Sequence, residues 1–269
     1  ESERLARPYN VDTAEAGKAE NKKFVFQELS QDKLNTQTVS KALIPGQQPE
    51  VEGYLDPQYI NSPLIFWPSR YDFAVKGVDI GFKALEKLLD ENHQFTAVLA
   101  LKGSLTSEDK IVKDFVQNVV NNPKHKGRVV LINGFLPIHQ FMAASDMYLL
   151  PSRREACSLT PMEAMRYGTV PVMARAGGSA DVVKDYNASP EEATAFVTKN
   201  RLDQVETAQA IEDFKQQLTS ALGIFQAGNK ENWLNIVRNG MNLDNSWHKV
   251  AENYSQLYEK LLKTKQEQA

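Results

Sequence analysis

The fold of this chain is decided by five short apolar runs: LIFW (64–67), FTAVLAL (95–101), RVVLI (128–132), MYLL (147–150) and VPVM (170–173). Each run has the length of a buried strand, and the stretch after each run has helical periodicity. Alternation of strand and helix at this spacing is typical of a parallel sheet with helices on both faces. We therefore predict an α/β, Rossmann-like fold with a helical C-terminus.

The flanking regions differ from this core. Residues 1–62 are predicted to be an N-terminal extension that holds one helix at 18–29, followed by a loop because residues 30–63 contain four prolines. Residues 63–245 are predicted to be the Rossmann-like domain, and residues 246–269 a closing helix. Within the domain we expect helices at 78–92, 108–121, 138–144, 159–167, 203–222 and 230–239, and a last strand at 195–197. The chain begins with Glu1 rather than Met, which favours a piece of a longer protein, although a mature N-terminus would look the same.

Composition excludes several classes of protein. The 269 residues carry a net charge of −3, so nothing indicates a partner such as nucleic acid or an anionic membrane. No run approaches the roughly 20 apolar residues of a membrane helix, and the polar first 25 residues lead us to expect no signal peptide. The single cysteine, Cys157, excludes an internal disulfide and is typical of a reducing compartment.

Ligands of parallel sheets bind beyond the carboxyl ends of the strands, so the loops there carry the candidate site residues. The first loop, PSRYDFAVKG (68–77), places Arg70 and Lys76 just before a helix. Two cations beside a helix N-terminus can hold an anion such as phosphate. Two solvated surface cations would show the same spacing.

The loop after the fourth strand, PSRREACSLTPME (151–163), is richer. Glu155 is predicted in the loop and Glu163 one turn into the helix, where carboxylates can accept hydrogen bonds from sugar hydroxyls. Free N–H groups near Leu159 and Thr160, with the Thr160 hydroxyl, can meet a phosphate. On spacing alone, surface carboxylates explain the two glutamates better, and Cys157 is most simply a small buried or half-buried residue.

A third loop contains Gly177 and Gly178, which allow a ligand close to the backbone, although a plain loop is the alternative. Neither a dinucleotide-binding GxGxxG nor a phosphate-binding GxxxxGK[ST] pattern occurs. The four histidines are scattered, so no zinc spacing exists.

Taken together, four segments resemble a known family. PSRREACSLTPMEAMRYGTVPVMARAGGSADVV (151–183) is similar to the donor-site segment of bacterial glycogen synthases and plant starch synthases. PYNVDTAEAGKAENKKFVFQEL, SRYDFAVKGVDI and WLNIVRNGMNLDNSWHKVAENYSQLY agree in the family's order. The resemblance, over residues 8–262 with gaps, implies the C-terminal half of a two-domain GT-B enzyme. Such enzymes transfer glucose, with retention, from ADP-glucose (UDP-glucose in some members) to the non-reducing end of an α-1,4-glucan.

The resemblance also implies roles for individual residues. Arg70 and Lys76 would hold the diphosphate and stabilise the leaving group, so that no metal or other cofactor is expected. Glu155 would hold the donor glucose as the third catalytic-site residue. The remaining donor-binding residues would be Phe135 at the nucleobase, Cys157 beside the glutamate, Leu159 and Thr160 at the diphosphate, Glu163 at the ribose, and Gly177 and Gly178 around the glucose.

Some positions depart from the family pattern. Ser158 replaces a glycine, Arg154 an aromatic residue and Glu163 a tyrosine, and the loop between Arg70 and Lys76 is one residue longer. These changes leave the choice between ADP-glucose and UDP-glucose open. Glu163 favours an alternative, another retaining GT-B transferase such as one that builds a surface polysaccharide. A non-catalytic module that binds nucleotide sugar or glucan is a third possibility.

The family's N-terminal domain, with its KxGG donor loop, does not occur in this sequence. We therefore expect the chain to be nearly inactive alone and the helix at 246–266 to dock on that domain. The expected partners are the nucleotide sugar, the α-1,4-glucan acceptor and the missing domain. The resemblance implies the cytoplasm for a bacterial source and the plastid stroma for a plant or alga.

Overall fold

A computed structural model describes residues 5–32, 50–102, 110–134, 136–228 and 230–267 of the chain. The strands are β1 Glu50–Gly53, β2 Leu64–Arg70, β3 Thr96–Lys102, β4 Val129–Asn133, β5 Met147–Leu150, β6 Val170–Met173 and β7 Phe196–Val197. They form one seven-stranded sheet in the order β1-β4-β3-β2-β5-β6-β7. Every neighbouring pair from β4 to β7 along that order is parallel, which confirms the predicted parallel sheet.

The first strand corrects the prediction of an unbroken loop at 30–63. β1 pairs antiparallel with β4, with Glu50 opposite Asn133 and Val51 opposite Ile132. Its four residues alternate between exposed and half-buried. A strand this short and this polar has no apolar run, so the sequence pattern did not reveal it.

The described helices are α1 Ala14–Glu28, α2 Phe73–Lys76, α3 Val78–Asp90, α4 Lys110–Phe115, α5 Ile138–Ala144, α6 Thr160–Arg166, α7 Thr207–Gln226, α8 Lys230–Asn242 and α9 Trp247–Glu267. α4 continues directly as a π-helical turn, Val116–Val120. The helices expected from the sequence are all found, with boundaries shifted by a few residues. The structure adds one helix that was not expected, α2, because residues 68–77 were predicted to be a loop.

Both faces of the sheet are buried, which explains why its strands read as continuous apolar runs. Along β2, Ile65 and Trp67 belong to the apolar core on the side of α3 and α7. Leu64 and Phe66 belong to the core on the side of α1 and α5, where Phe66 stacks on Phe141 at 5.2 Å between ring centroids. The site at the end of β2 therefore stands on a strand fixed from both sides.

A buried lysine fastens α1 to the rest of the domain. The Lys18 ammonium donates hydrogen bonds to the Tyr167 carbonyl at 3.0 Å and the Thr169 hydroxyl at 2.9 Å. Burial lowers the pKa of Lys18 to about 7, against the opposing effect of the Asp146 carboxylate. Lys22, one turn further along α1, forms an ion pair with Asp146 at 3.0 Å.

The closing helix α9 leaves most of its surface open. Trp247 is 87% exposed, and its large apolar neighbours Tyr254, Tyr258, Leu261 and Leu262 are all more than half exposed. The spacing of the last four places them on one side of the helix. Docking of this face on another domain stays a prediction. Neither α9 nor any other helix in the described residues is long and apolar enough to cross a membrane.

Candidate active site at the carboxyl edge of the sheet

Three loops meet where β2, β5 and β6 end, and two glycines let them touch. Gly77 has a φ of +64°, and a Cβ atom there would lie 2.1 Å from the Pro151 carbonyl oxygen. Gly177 has a φ of +52°, and a Cβ atom there would lie 1.6 Å from the Glu155 carbonyl oxygen. The close approach predicted for the glycine loop is therefore made to a neighbouring loop, and its role at a sugar stays a prediction.

The structure brings two of the predicted catalytic residues together. The Lys76 ammonium at the end of α2 forms an ion pair with Oε1 of Glu155 in the loop after β5. Both side chains are largely covered, with 19% and 9% of their surfaces exposed. The hydroxyl of the buried Ser152 also donates to Oε1 of Glu155, at 3.2 Å. One carboxylate oxygen of Glu155, Oε1, therefore already accepts two hydrogen bonds from within the protein.

Arg70 is placed differently from the prediction of a loop residue, because β2 continues through it. Its side chain is exposed at the end of the strand, and no ion pair joins it to any other residue within the described ranges. The chain then turns at Asp72, whose carboxylate accepts the Val75 N–H at 2.9 Å and starts α2. Arg70 and Lys76 thus lie on either side of one helical turn.

The start of α6 holds a short chain of hydroxyl groups. Oγ1 of Thr160 lies 2.6 Å from the Tyr148 hydroxyl and 2.8 Å from the Ser158 hydroxyl. The Thr160 hydroxyl predicted to face a phosphate is therefore bonded within the protein. Burial raises the pKa of Tyr148, with smaller contributions from the charges of Glu155 and Glu163, and the hydrogen bond to Thr160 opposes this shift. Both carboxylates thus lie close enough to influence the same buried phenol.

Glu163 stands in the first turn of α6, half-buried, where a negative charge complements the helix dipole. It lines a cleft of about 690 Å³ together with His139, Arg166, Tyr167 and the connection from α8 to α9. No three His, Cys, Asp or Glu side chains cluster as metal ligands in the part of the chain that the structure covers.

The remaining predicted residues fall into three cases. Cys157 is exposed, so the expectation of a buried or half-buried thiol was wrong. It sits beside Gly178, where a Cβ atom would lie 3.7 Å from its sulfur. Leu159 is 63% exposed at the start of α6. Phe135 lies outside the described residues.

One residue beside the site was missed by sequence reasoning. The Arg153 guanidinium bonds both carboxylate oxygens of Asp79, at 2.6 and 2.7 Å, and also the Phe73 carbonyl at 2.7 Å. Asp79 is 74 positions away in the chain, so no local spacing could reveal the pair. The position of Arg153, two residues before Glu155, was the only available signal.

The arrangement has a clear chemical character. The Lys76 ammonium stands beside the carboxylate of Glu155 at the carboxyl edge of a parallel sheet, the exposed Arg70 ends the strand that precedes α2, and Glu163 lies on α6. Cations bind anionic groups such as phosphates, and carboxylates accept hydrogen bonds from hydroxyl groups. A molecule that combines a phosphate with a sugar satisfies both.

Comparison with known proteins finds relatives that are named glycogen synthase and starch synthase. The glycogen synthase of Elusimicrobium minutum is 35% identical over 202 residues, which cover 75% of this chain and 38% of that protein. Soluble starch synthase 1 of Solanum tuberosum is 32% identical over 198 residues, which cover 73% of this chain and 28% of that protein. This chain therefore spans well under half the length of these relatives.

A solved structure shares the fold. The catalytic domain of starch synthase IV from Arabidopsis thaliana, bound to ADP and acarbose, matches 96% of this chain and 45% of its own with a TM-score of 0.69 at 24% identity. The match confirms the predicted fold, one Rossmann-like half of the GT-B architecture. Residues 62–216, more than half of the chain, match the family model of glycosyl transferases group 1. The chain is therefore a member of the group 1 glycosyl transferases.

Proposed function

We propose that this chain is the donor-binding domain of a glycogen or starch synthase. The full enzyme would transfer glucose, with retention, from ADP-glucose to the non-reducing end of an α-1,4-glucan. The observation that carries the proposal is the ion pair of Lys76 with Glu155 where three loops meet, with the exposed Arg70 at the end of the strand that leads into the Lys76 loop. Relatives named glycogen and starch synthase, and a fold neighbour bound to ADP and acarbose, support it.

The two cations bind the diphosphate in this proposal. Arg70 has an open guanidinium that can grip phosphate oxygens with two parallel hydrogen bonds, and Lys76 supplies a point charge. As the bond to the sugar breaks, negative charge grows on the departing diphosphate, and fixed cations stabilise it. We propose that these side chains do this work without a metal ion or another cofactor.

Glu155 acts on the sugar side. Its Oε1 atom already accepts hydrogen bonds from Lys76 and Ser152, so its second oxygen is the acceptor for a glucose hydroxyl. Its negative charge also stabilises the positive charge that develops at the anomeric carbon. Lys76 then lies between Glu155 and the phosphate nearest the sugar, and links the two halves of the donor.

The proposed chemistry keeps the configuration of the anomeric carbon. The bond from that carbon to the phosphate oxygen breaks, and its electron pair stays with the leaving diphosphate. The acceptor hydroxyl attacks from the same face, forms the new glycosidic bond, and gives its proton to the leaving phosphate oxygen. No covalent bond to Glu155 forms, so detection of a glucosyl ester on that residue would contradict this route.

The exposed face of α9 completes the proposal. We propose that its apolar side chains pack on the domain that binds the glucan acceptor, and that the chain alone transfers little glucose. Burial of Tyr254, Tyr258 and Leu261 would remove from water three large apolar side chains that are each more than half exposed. A bacterial enzyme of this kind would work in the cytoplasm and a plant or algal one in the plastid stroma.

Calorimetric titration of the chain with ADP and with UDP tests the proposal. We expect ADP to bind, UDP to bind less tightly, and Arg70→Ala to weaken both by roughly ten- to a hundredfold, because a charge-assisted contact is lost. Arg238→Ala, which removes a half-exposed arginine on α8, serves as the matched control and should leave binding unchanged. Absence of ADP binding would contradict the proposal.

The same titration, extended to maltohexaose, distinguishes two other functions. Glu163 favours a retaining transferase that uses another nucleotide sugar, and such an enzyme would bind UDP more tightly than ADP. A non-catalytic glucan-binding module would bind maltohexaose but neither nucleotide. Each outcome points to one class.

A further inference from the structure

Arg153 ties together both ends of the segment that carries Lys76. Its two terminal nitrogens bond the two carboxylate oxygens of Asp79, in the first turn of α3. One of the same nitrogens bonds the carbonyl of Phe73, the first residue of α2. Both partners of the ion pair are largely covered, with side chains 16% and 22% exposed. Paired fork geometry of this kind fixes orientation as well as distance.

The backbone adds further contacts between the same two loops. The N–H of Arg154 donates to the Val75 carbonyl at 3.2 Å. Gly77 lies so close to the Pro151 carbonyl that no side chain fits between them. The loop after β2 is therefore held against the loop after β5 along most of α2.

Helix α2 needs this support. It has four residues, Phe73–Lys76, and a helix of one turn is not stable by itself in water. Lys76 is its last residue, so any movement of α2 moves the ammonium relative to Glu155. All three hydrogen bonds of the Arg153 guanidinium go to protein groups, the Phe73 carbonyl and the Asp79 carboxylate. Contact with a ligand is therefore left to Lys76.

We infer that Arg153 is a positioning residue that holds Lys76 in register with Glu155, so that the ammonium meets the phosphate nearest the sugar. This inference rests on the proposed function, because it assigns Arg153 a part in binding the nucleotide diphosphate. Arg153 acts through Lys76 and does not itself touch the donor.

The comparison of ADP with AMP separates this role from a merely structural one. AMP lacks the β-phosphate, which is the phosphate that carries the glucose in ADP-glucose. In this proposal Lys76 meets the β-phosphate, so the binding of AMP does not depend on Lys76. In calorimetry on the full chain, we expect Arg153→Met and Asp79→Asn to weaken ADP binding by up to about ten- to a hundredfold, the range expected for loss of the Lys76 contact, and to change AMP binding little. In a Lys76→Met background, Arg153→Met should have no further effect on ADP binding, because the residue through which it acts is gone.

Arg238→Met is the matched control. Arg238 pairs with Glu231 at 2.6 Å, but it is about half exposed and lies on α8, outside these loops. We expect it to leave the ratio of ADP to AMP affinity unchanged.

Hydrogen exchange of the nucleotide-free chain gives a second readout. Loss of Arg153 should speed amide exchange in residues 73–77 and leave exchange in β2 and β5 unchanged, which also shows that the variant is folded. Equal weakening of ADP and AMP, or unchanged exchange in 73–77, would overturn the inference. If the unsubstituted chain binds ADP over AMP and Arg153→Met keeps that preference, only this inference fails. If the unsubstituted chain binds neither nucleotide, the proposed function fails and takes the inference with it.

Discussion

Lys76 and Glu155 lie 79 positions apart in the chain, and their side chains form an ion pair at the carboxyl edge of the sheet. The pair joins the residue proposed to bind phosphate with the residue proposed to bind sugar. A donor that enters the site therefore brings its phosphate to an ammonium that the carboxylate already neutralises, so that two anions share one cation. Binding and release of the donor are thus coupled to this contact.

Glu155→Gln tests that coupling. Without the negative charge, Lys76 is free to meet the diphosphate, so we expect ADP to bind about fivefold more tightly, the equivalent of a modest ion pair of about 1 kcal/mol. Titration calorimetry measures the change. Glu86→Gln, which breaks an ion pair with Lys83 on the surface of α3, is the control. Weaker ADP binding by Glu155→Gln would show that the pair helps the phosphate instead of competing with it.

Gly177→Ala should destabilise the chain by at least about 2 kcal/mol. The new methyl group would overlap the Glu155 carbonyl oxygen, and a positive φ is strained for alanine. Gly223→Ala is the opposite case, since nothing lies within 4 Å of its Cβ position and it sits in helix α7. There we expect stabilisation of roughly 0.5–1 kcal/mol. Urea unfolding measures both, and equal effects would contradict the geometry.

Lys18 gives a prediction about pH. Because burial lowers its pKa to about 7, the folded chain releases this proton near neutrality, while the unfolded chain keeps it up to about pH 10. Between these values the unfolded state binds more protons, so stability rises with pH. Relative to Lys18→Met, the free energy of unfolding of the unsubstituted chain should increase by up to about 1.4 kcal/mol per pH unit.

Urea unfolding at pH 7.5 and 9.0 checks this slope. Lys23→Met on the same helix is the control, because its side chain is 59% exposed and its substitution should not change the slope. A difference between the unsubstituted chain and Lys18→Met that stays constant over this range would mean that Lys18 remains charged beside the Tyr167 carbonyl and the Thr169 hydroxyl.

The double substitution Leu257→Glu, Leu261→Glu tests the open face of α9. Both side chains are about half exposed in this chain, at 48% and 58%. Surface changes of this kind alter stability by no more than about 0.5 kcal/mol, so we expect thermal unfolding of the chain to stay unchanged. Glucose transfer by an enzyme that contains the acceptor-binding domain should fall, since charges would enter the proposed contact. A marked loss of stability in the isolated chain would show that α9 packs on this domain.

The sequence predicted the sheet well because burial on both faces leaves a continuous apolar run at every central strand, as along Leu64 to Trp67. It directed attention to the loops that hold Lys76 and Glu155, because ligand loops of parallel sheets follow the strands, and the roles of these residues stay predictions. It could not predict contacts between distant loops. The pairs Lys76 with Glu155 and Arg153 with Asp79 depend on tertiary packing, and so does the exposure of Cys157.

The short strand β1 has a consequence for how the protein behaves in concentrated solution. Without it, β4 would present an apolar edge, VVLIN, whose free backbone groups invite another chain to add a strand. β1 covers that edge and carries Glu50 and Glu52. A strand of four residues with two negative charges is a poor template for the addition of further strands in a fibril. A segment that carries none of the chemistry thus protects the protein against aggregation.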